Sequence, residues 1–189
     1  MRFNQHYNLE GRHAFLAPSS PAWVNYDDEK MGKSYFTSQA AKRGDRLHAL
    51  AAEAISLAIK LPEVSKTMNM YVNDAIGWRM VPEQLLYFSE FCFGTADCMS
   101  FREPEKMLRI SDLKTGTTRT SMAQLEIYAA LFCLEYGYTP FDLVIELRIY
   151  KGDRVELHIP DPTQIVFIMS RIKTADKIFR DIQGELADV

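Results

Sequence analysis

The sequence contains few cysteines, no long apolar run and little net charge. The three cysteines, Cys92, Cys98 and Cys133, are odd in number and lack the paired spacing of zinc or iron–sulfur sites, so we expect reduced thiols and no iron–sulfur cluster. No apolar stretch approaches the roughly 20 residues of a membrane span. The N-terminus lacks the apolar core of a secretory signal. These absences predict an intracellular protein that does not cross a membrane.

The overall composition is that of a globular domain without a general affinity for polyanions. With 47% hydrophobic residues, the 189-residue chain can bury a substantial core. We expect a single domain over residues 1–189, with residues 1–37 forming an irregular N-terminal arm. The 22 basic and 25 acidic residues leave a net charge of −3. A nucleic acid would therefore be held by a local basic groove or through metal ions.

Apolar residues recur at helical spacing in some segments and alternate, as in strands, in others. The predicted helices cover residues 38–61, 63–79, 120–137 and 162–183. The predicted strands cover residues 84–93, 95–101, 107–115, 141–150 and 154–159. Ser38 and Pro62 bound the first helix, and Gly94 is expected to join the first two strands. This order predicts an α/β (α+β) fold in which helices flank a central mixed β-sheet.

Two opposite charges interrupt the third predicted strand. In the stretch LRISDLKTGT, Leu108 and Ile110 alternate with polar residues, but Asp112 and Lys114 stand where apolar side chains are due. Residues two apart on a strand point to the same face, so the carboxylate and the ammonium group should be neighbours. One interpretation is an ordinary salt bridge at the end of a strand. The other interpretation is a catalytic site.

Asp97, in the preceding predicted strand, faces Asp112 if the two strands form a simple antiparallel pair. Facing residues are about 5 Å apart, and two carboxylates at that distance repel each other unless a cation lies between them. Mg²⁺ or Mn²⁺ binds such carboxylates together with water and phosphate oxygens, and the carbonyl of Leu113 can add another oxygen. Lys114 can orient water or stabilise charge on a phosphate. These groups are suited to metal-assisted hydrolysis of a phosphodiester.

Three further residues extend this candidate site. Gln124 and Tyr128 are four residues apart and therefore share one face of the next helix, where they can hydrogen-bond the site or a nucleic-acid backbone. An ordinary exposed helix face is the alternative. His48 lies on the first predicted helix near Arg43 and Arg46. It is either an ordinary helical histidine or, beside two carboxylates, a third metal ligand.

Taken in order, these residues resemble the RecB-like exonuclease branch of the PD-(D/E)XK nuclease superfamily. The first two elements of that branch are a helical RG-x-x-x-H, matched by residues 43–48, and G-x-x-D, matched by GTAD at residues 94–97. The next two are D-x-K, which reads DLKTG at residues 112–116, and Q-x-x-x-Y, which reads QLEIY at residues 124–128. The resemblance spans residues 40–150 and implies a restriction-endonuclease-like core.

The resemblance also implies a role for each matched residue. The implied ligands of Mg²⁺ or Mn²⁺ are His48, Asp97, Asp112 and the carbonyl of Leu113. The implied catalytic residues are Asp97, Asp112, Lys114, Gln124 and Tyr128. Phosphates that flank the cleavage site are expected to be neutralised by Lys42, Arg43, Arg46 and Arg119. A solvated surface charge is the alternative for each of the four.

The function implied by the resemblance is that of a Mg²⁺- or Mn²⁺-dependent deoxyribonuclease, an exonuclease of DNA recombination, repair or phage DNA processing. Small stand-alone nucleases of this type look like phage or mobile-element proteins. We therefore expect DNA as the partner, a recombination or single-strand-binding protein as a second partner, and the cytoplasm of a bacterial host as the location. Two alternatives stay open: a catalytically silent nuclease-fold protein that binds nucleic acid or inhibits a partner protein, and a small scaffold whose charges are structural.

Overall fold

A computed structural model describes residues 14–116 and 121–187 of the protein. The chain divides into two compact units, residues 1–43 and residues 44–189. The first long helix, α1, runs from Asp28 to Ser56 and has residues in both units. Among the described helices, none combines the length and the hydropathy that a bilayer-spanning segment needs.

The described part of the first unit is more regular than the sequence analysis predicted. A short 3-10 helix, Pro21–Asn25, precedes α1. The helix α1 begins at Asp28 instead of the predicted Ser38, so the prediction of an irregular arm is wrong from Asp28 onward. The start signal is Asp27, whose Oδ1 accepts the N–H of Lys30 at 2.7 Å. Acidic residues in the first turn add a favourable interaction with the helix dipole.

The second unit contains its helices and strands in the predicted order. The helices that follow α1 are α2 (Thr67–Gly77), α3 (Ala123–Tyr136) and α4 (Pro162–Ala187). The strands are β1 (Val81–Ser89), β2 (Cys92–Arg102), β3 (Met107–Leu113), β4 (Val144–Lys151) and β5 (Arg154–His158). They form one sheet in the order β1-β2-β3-β4-β5, in which β3 and β4 are parallel and the other neighbours are antiparallel. The fold is therefore mixed α/β with a five-stranded mixed sheet, which confirms this part of the prediction.

The turn between the first two strands is not where the sequence analysis expected it. It lies at Glu90 and Phe91, and Gly94 is inside β2. A Cβ atom at position 94 would lie 3.1 Å from the ring carbon Cε1 of Tyr128. The glycine therefore allows the tyrosine ring of α3 to approach the strand closely, and it does not make the turn.

The sheet lies between two hydrophobic clusters. One cluster contains Leu108 and Ile110 of β3 together with the buried residues of α3. The other contains Leu113 of β3 together with residues of α1 and α2. Because successive side chains of a strand point to opposite faces of the sheet, the side chains of β3 alternate between the two clusters. By this alternation Asp112 shares the face of Leu108 and Ile110, the face that packs against α3.

Candidate metal centre

The pairing of β2 with β3 brings Asp97 to the end of β3. The antiparallel register runs to the pair Cys98 and Ser111, and the next residues along the two strands are Asp97 and Asp112, as predicted. Main-chain pairing stops there. Instead, the Oδ2 atom of Asp97 accepts the N–H of Leu113 at 2.9 Å, so the carboxylate takes the place of a main-chain carbonyl.

Helix α1 places His48 against the same carboxylate. Nδ1 of His48 lies 3.2 Å from Oδ2 of Asp97, and this hydrogen bond raises the pKa of the imidazole. Gly44 lies one turn earlier, where a Cβ atom would be 3.0 Å from Oγ1 of Thr115 in the loop after β3. The glycine of the RG-x-x-x-H element thus permits the helix to approach the loop that follows Asp112 and Lys114.

Asp112 is a buried carboxylate that contacts Lys114. The two side chains are 4% and 33% exposed, and Nζ of Lys114 lies 2.9 Å from each carboxylate oxygen. Only the contact with Oδ1 has hydrogen-bond geometry, so the buried Oδ2 has no hydrogen-bond partner among the described residues. Burial raises the pKa of Asp112 in spite of the opposing hydrogen bond from Lys114. The predicted contact between the two charges is confirmed, and one carboxylate oxygen accepts no hydrogen bond from the described chain.

Gln124 and Tyr128 extend the contacts from Lys114 to β2. Oε1 of Gln124 accepts a hydrogen bond from Nζ of Lys114 at 3.2 Å, and its Nε2 donates one to the hydroxyl of Tyr128 at 3.4 Å. The hydroxyl of Tyr128 donates in turn to the carbonyl of Thr95 at 2.7 Å. The prediction that Gln124 and Tyr128 share a helix face is confirmed. Lys114 is thus held between Asp112 on one side and this chain of hydrogen bonds on the other.

Glu83 is a candidate site residue that the sequence analysis missed. On β1, Pro82 pairs with Cys98 of β2 and Gln84 pairs with Ala96. Glu83 therefore lies opposite Asp97. One donor atom from each of Glu83, Asp97 and His48 lies within 4.8 Å of the other two. Glu83 is exposed at the surface, and desolvation by its neighbours, followed by the negative charge of Asp97, raises its pKa. The predicted first strand began at residue 84, which left this carboxylate outside the sheet.

The donor atoms of His48, Glu83 and Asp97 are close enough together to hold a metal ion. With coordination distances near 2.1 Å, adjacent ligands of an octahedral ion are about 3.0 Å apart and opposite ligands about 4.2 Å apart. The 3.2 Å between Nδ1 of His48 and Oδ2 of Asp97 is close to the first value, and the donor atoms of all three residues lie within 4.8 Å of one another. Asp112 is not part of this group. Its role as a ligand, and that of the Leu113 carbonyl, stay predictions.

The three arginines expected at flanking phosphates have different positions. Arg46 is exposed on α1 in the second unit, and Arg43 is exposed as the last residue of the first unit. Arg119 lies outside the described residues. The role of all three in binding DNA stays a prediction.

The arrangement leaves open space beside the candidate site. A cavity of about 310 Å³ adjoins Lys114 and is lined by residues of α1 and α2, by the loop after β3 and by the turn between β4 and β5. The site therefore combines an imidazole, three carboxylates and an ammonium group with room for a ligand next to the ammonium-bearing residue. No protein-family model, curated protein or solved structure matches the chain.

Proposed function

We propose that the protein is a Mg²⁺- or Mn²⁺-dependent DNA nuclease with a restriction-endonuclease-like core, an exonuclease of the RecB-like kind. The supporting observation is that polar residues of separate helices and strands contact one another. His48 meets Asp97, and Lys114 meets both Asp112 and Gln124. An ordinary salt bridge at a strand end would account for Asp112 and Lys114 alone. It does not account for an imidazole and a second carboxylate at the same place.

The proposed cation ligands are His48 and Asp97, and Oδ2 of Asp112, which accepts no hydrogen bond from the described chain, is a further oxygen donor. When bound, a divalent cation stabilises negative charge on a phosphodiester and makes water a better nucleophile. The chemistry of the donors supports this assignment, because Asp97 and Asp112 are neighbouring carboxylates whose repulsion a cation relieves. Carboxylate oxygens are also the protein ligands that Mg²⁺ and Mn²⁺ prefer.

Lys114 is the proposed catalytic cation of the chain itself. Its ammonium group has three N–H donors, and Asp112 and Gln124 accept two of them. The third can orient water or a phosphate oxygen during hydrolysis, when a water oxygen bonds to phosphorus and an ester P–O bond breaks. Gln124 is in turn oriented by Tyr128, so the ammonium charge is held at one place before the substrate arrives.

The test of this proposal is DNA cleavage by the purified protein. Linear duplex and closed circular DNA are each incubated with Mg²⁺, with Mn²⁺ and with EDTA. We expect loss of linear DNA with either metal and none with EDTA, and an exonuclease should spare the closed circle. Asp112→Asn and Lys114→Met should each lower the rate by roughly 100-fold or more. Lys173→Met removes an exposed lysine of α4 and should leave the rate unchanged.

Three outcomes decide between the candidate functions. Cleavage by Asp112→Asn or Lys114→Met at the rate of the unaltered protein would refute the assignment of the catalytic residues. Binding of DNA without hydrolysis under every metal condition would replace the enzyme with the catalytically silent alternative. Neither binding nor hydrolysis, together with a melting temperature that divalent metal does not change, would favour the structural scaffold.

A further inference from the structure

Glu83 has an unusual backbone conformation inside the paired part of β1. The residues on either side of it pair with β2 in an unbroken antiparallel register. Glu83 itself has φ of +50°, in the left-handed region. Residues other than glycine, asparagine and aspartate rarely adopt this conformation, because their Cβ atom comes too close to the backbone. The strand therefore contains one strained residue, and its side chain approaches Asp97 and His48.

The carboxylate of Glu83 is exposed, and no contact within the described chain explains the strain. No described lysine or arginine forms an ion pair with it, and no described group donates a hydrogen bond to it. The charges that act on it are those of Asp97, which repels it, and of His48. Residues in strained conformations cluster at functional sites, where the surrounding structure holds them in place.

A second observation concerns Asp112, whose charge interacts with that of Asp97. Asp112 has a fully buried carboxylate oxygen without a hydrogen-bond partner in the described chain. Its charge interacts with those of Asp97 and His48, so it belongs to the same electrostatic cluster. Buried carboxylate oxygens are normally hydrogen-bonded or bound to a metal. Lys114 is the single ammonium group in contact with Asp112 among the described residues, and it contacts neither Asp97 nor Glu83.

We propose that Glu83 is a ligand of the divalent cation of the site, supplied by the edge strand β1 through a strained backbone. This inference rests on the proposed nuclease function and adds a residue to it. The donor set then contains one imidazole and two carboxylates from three separate elements, α1, β1 and β2. Because a nitrogen ligand suits Mn²⁺ better than Mg²⁺, the site should bind Mn²⁺ more tightly than Mg²⁺.

The experiment is calorimetric titration of the metal-free protein with MnCl₂ and, separately, with MgCl₂, in the absence of DNA. Glu83→Gln keeps the shape of the side chain and should weaken Mn²⁺ binding by about tenfold or more. Glu90→Gln removes an exposed acidic residue at the turn that joins β1 to β2 and should leave the affinity unchanged. Asp97→Asn, which changes a ligand of the proposed function, should also weaken binding.

A second measurement tests the strained backbone independently of the metal. In EDTA, Glu83→Gly should unfold at a higher urea concentration than Glu83→Ala, because glycine adopts positive φ without strain. Equal midpoints would overturn the claim that Glu83 is held in a strained conformation. This comparison also shows whether both variants are folded.

The outcomes separate failure of this inference from failure of the proposed function. If Asp97→Asn loses affinity and Glu83→Gln binds Mn²⁺ as tightly as the unaltered protein, Glu83 is not a ligand and the nuclease proposal stands. If the unaltered protein binds neither metal, both proposals fail. Equal affinities for Mn²⁺ and Mg²⁺ would overturn the inferred donor set.

Discussion

Replacing Lys114 with methionine should destabilise the metal-free protein by about 2 kcal/mol. Methionine fills much of the same space but leaves the buried carboxylate of Asp112 without its ammonium partner. Removing one partner of a fully buried ion pair costs about 3–5 kcal/mol, whereas an exposed pair is worth about 0–1 kcal/mol. The side chain of Asp112 is 4% exposed, but that of Lys114 is 33% exposed. Water therefore reaches one side of the pair, and the expected loss lies between the two ranges.

The same variant tests whether a cation can take over from the ammonium group. Urea unfolding of both proteins is followed by circular dichroism in EDTA and in saturating Mn²⁺. A metal at about 100 times its dissociation constant stabilises a folded protein by about 2.7 kcal/mol. We expect Lys114→Met to gain about 1 kcal/mol more than this, because the metal then also offsets the charge of Asp112.

The control for this prediction is a lysine in an exposed pair. Lys33 and Glu29 are four residues apart on α1, and their side chains are 74% and 75% exposed. Lys33→Met should therefore cost no more than about 0.5 kcal/mol. If Lys114→Met lowers the free energy of unfolding by as little as Lys33→Met does, the interpretation of Asp112 as a buried charge that Lys114 compensates is contradicted. An equal stabilisation of both proteins by Mn²⁺ would contradict the proposed position of the metal beside Asp112.

Two further predictions concern the neighbours of this pair. The hydrogen bond to Asp97 raises the pKa of His48 above its value in the unfolded chain, so its stabilising contribution in EDTA is fully present below about pH 6.5 and is lost as the pH rises through the folded pKa. Urea midpoints measured from about pH 6 to about pH 8.5 should show this loss of stability, and the loss should be smaller in Asp97→Asn. The same pH profile in the variant and in the unaltered protein would contradict the prediction. Tyr128→Phe removes the hydrogen bond to the Thr95 carbonyl and should cost about 1 kcal/mol by urea unfolding, with Mn²⁺ affinity retained; a loss of metal binding would show that Tyr128 does more than position its neighbours.

The order of the helices and strands could be predicted because strong periodic patterns mark them. The register of β2 and β3 followed from their short connection, since antiparallel pairing fixes which residue faces which. The contact of Asp112 with Lys114 followed from strand alternation, and that of Gln124 with Tyr128 from helical spacing. These relations are local or span one turn, which is why one sequence was sufficient to find them.

Other features depend on contacts that no local pattern announces. The role of Gly94 comes from the ring of Tyr128, more than 30 residues away in the chain, and from close packing instead of a turn. Glu83 was missed because the proline before it and its own left-handed conformation hide the start of β1. The early start of α1 at Asp28 falls in a segment with little apolar periodicity, where the cap at Asp27 is the main signal.

The most direct test of the central claim is the position of a bound metal. Crystals of the protein soaked in MnCl₂ can be measured at a wavelength where manganese scatters anomalously. The account predicts an anomalous peak about 2.0–2.3 Å from a ring nitrogen of His48 and from a carboxylate oxygen of Asp97, on the side of Asp112. No peak at this place, or a peak bound only by exposed carboxylates elsewhere, would contradict the existence of the metal centre.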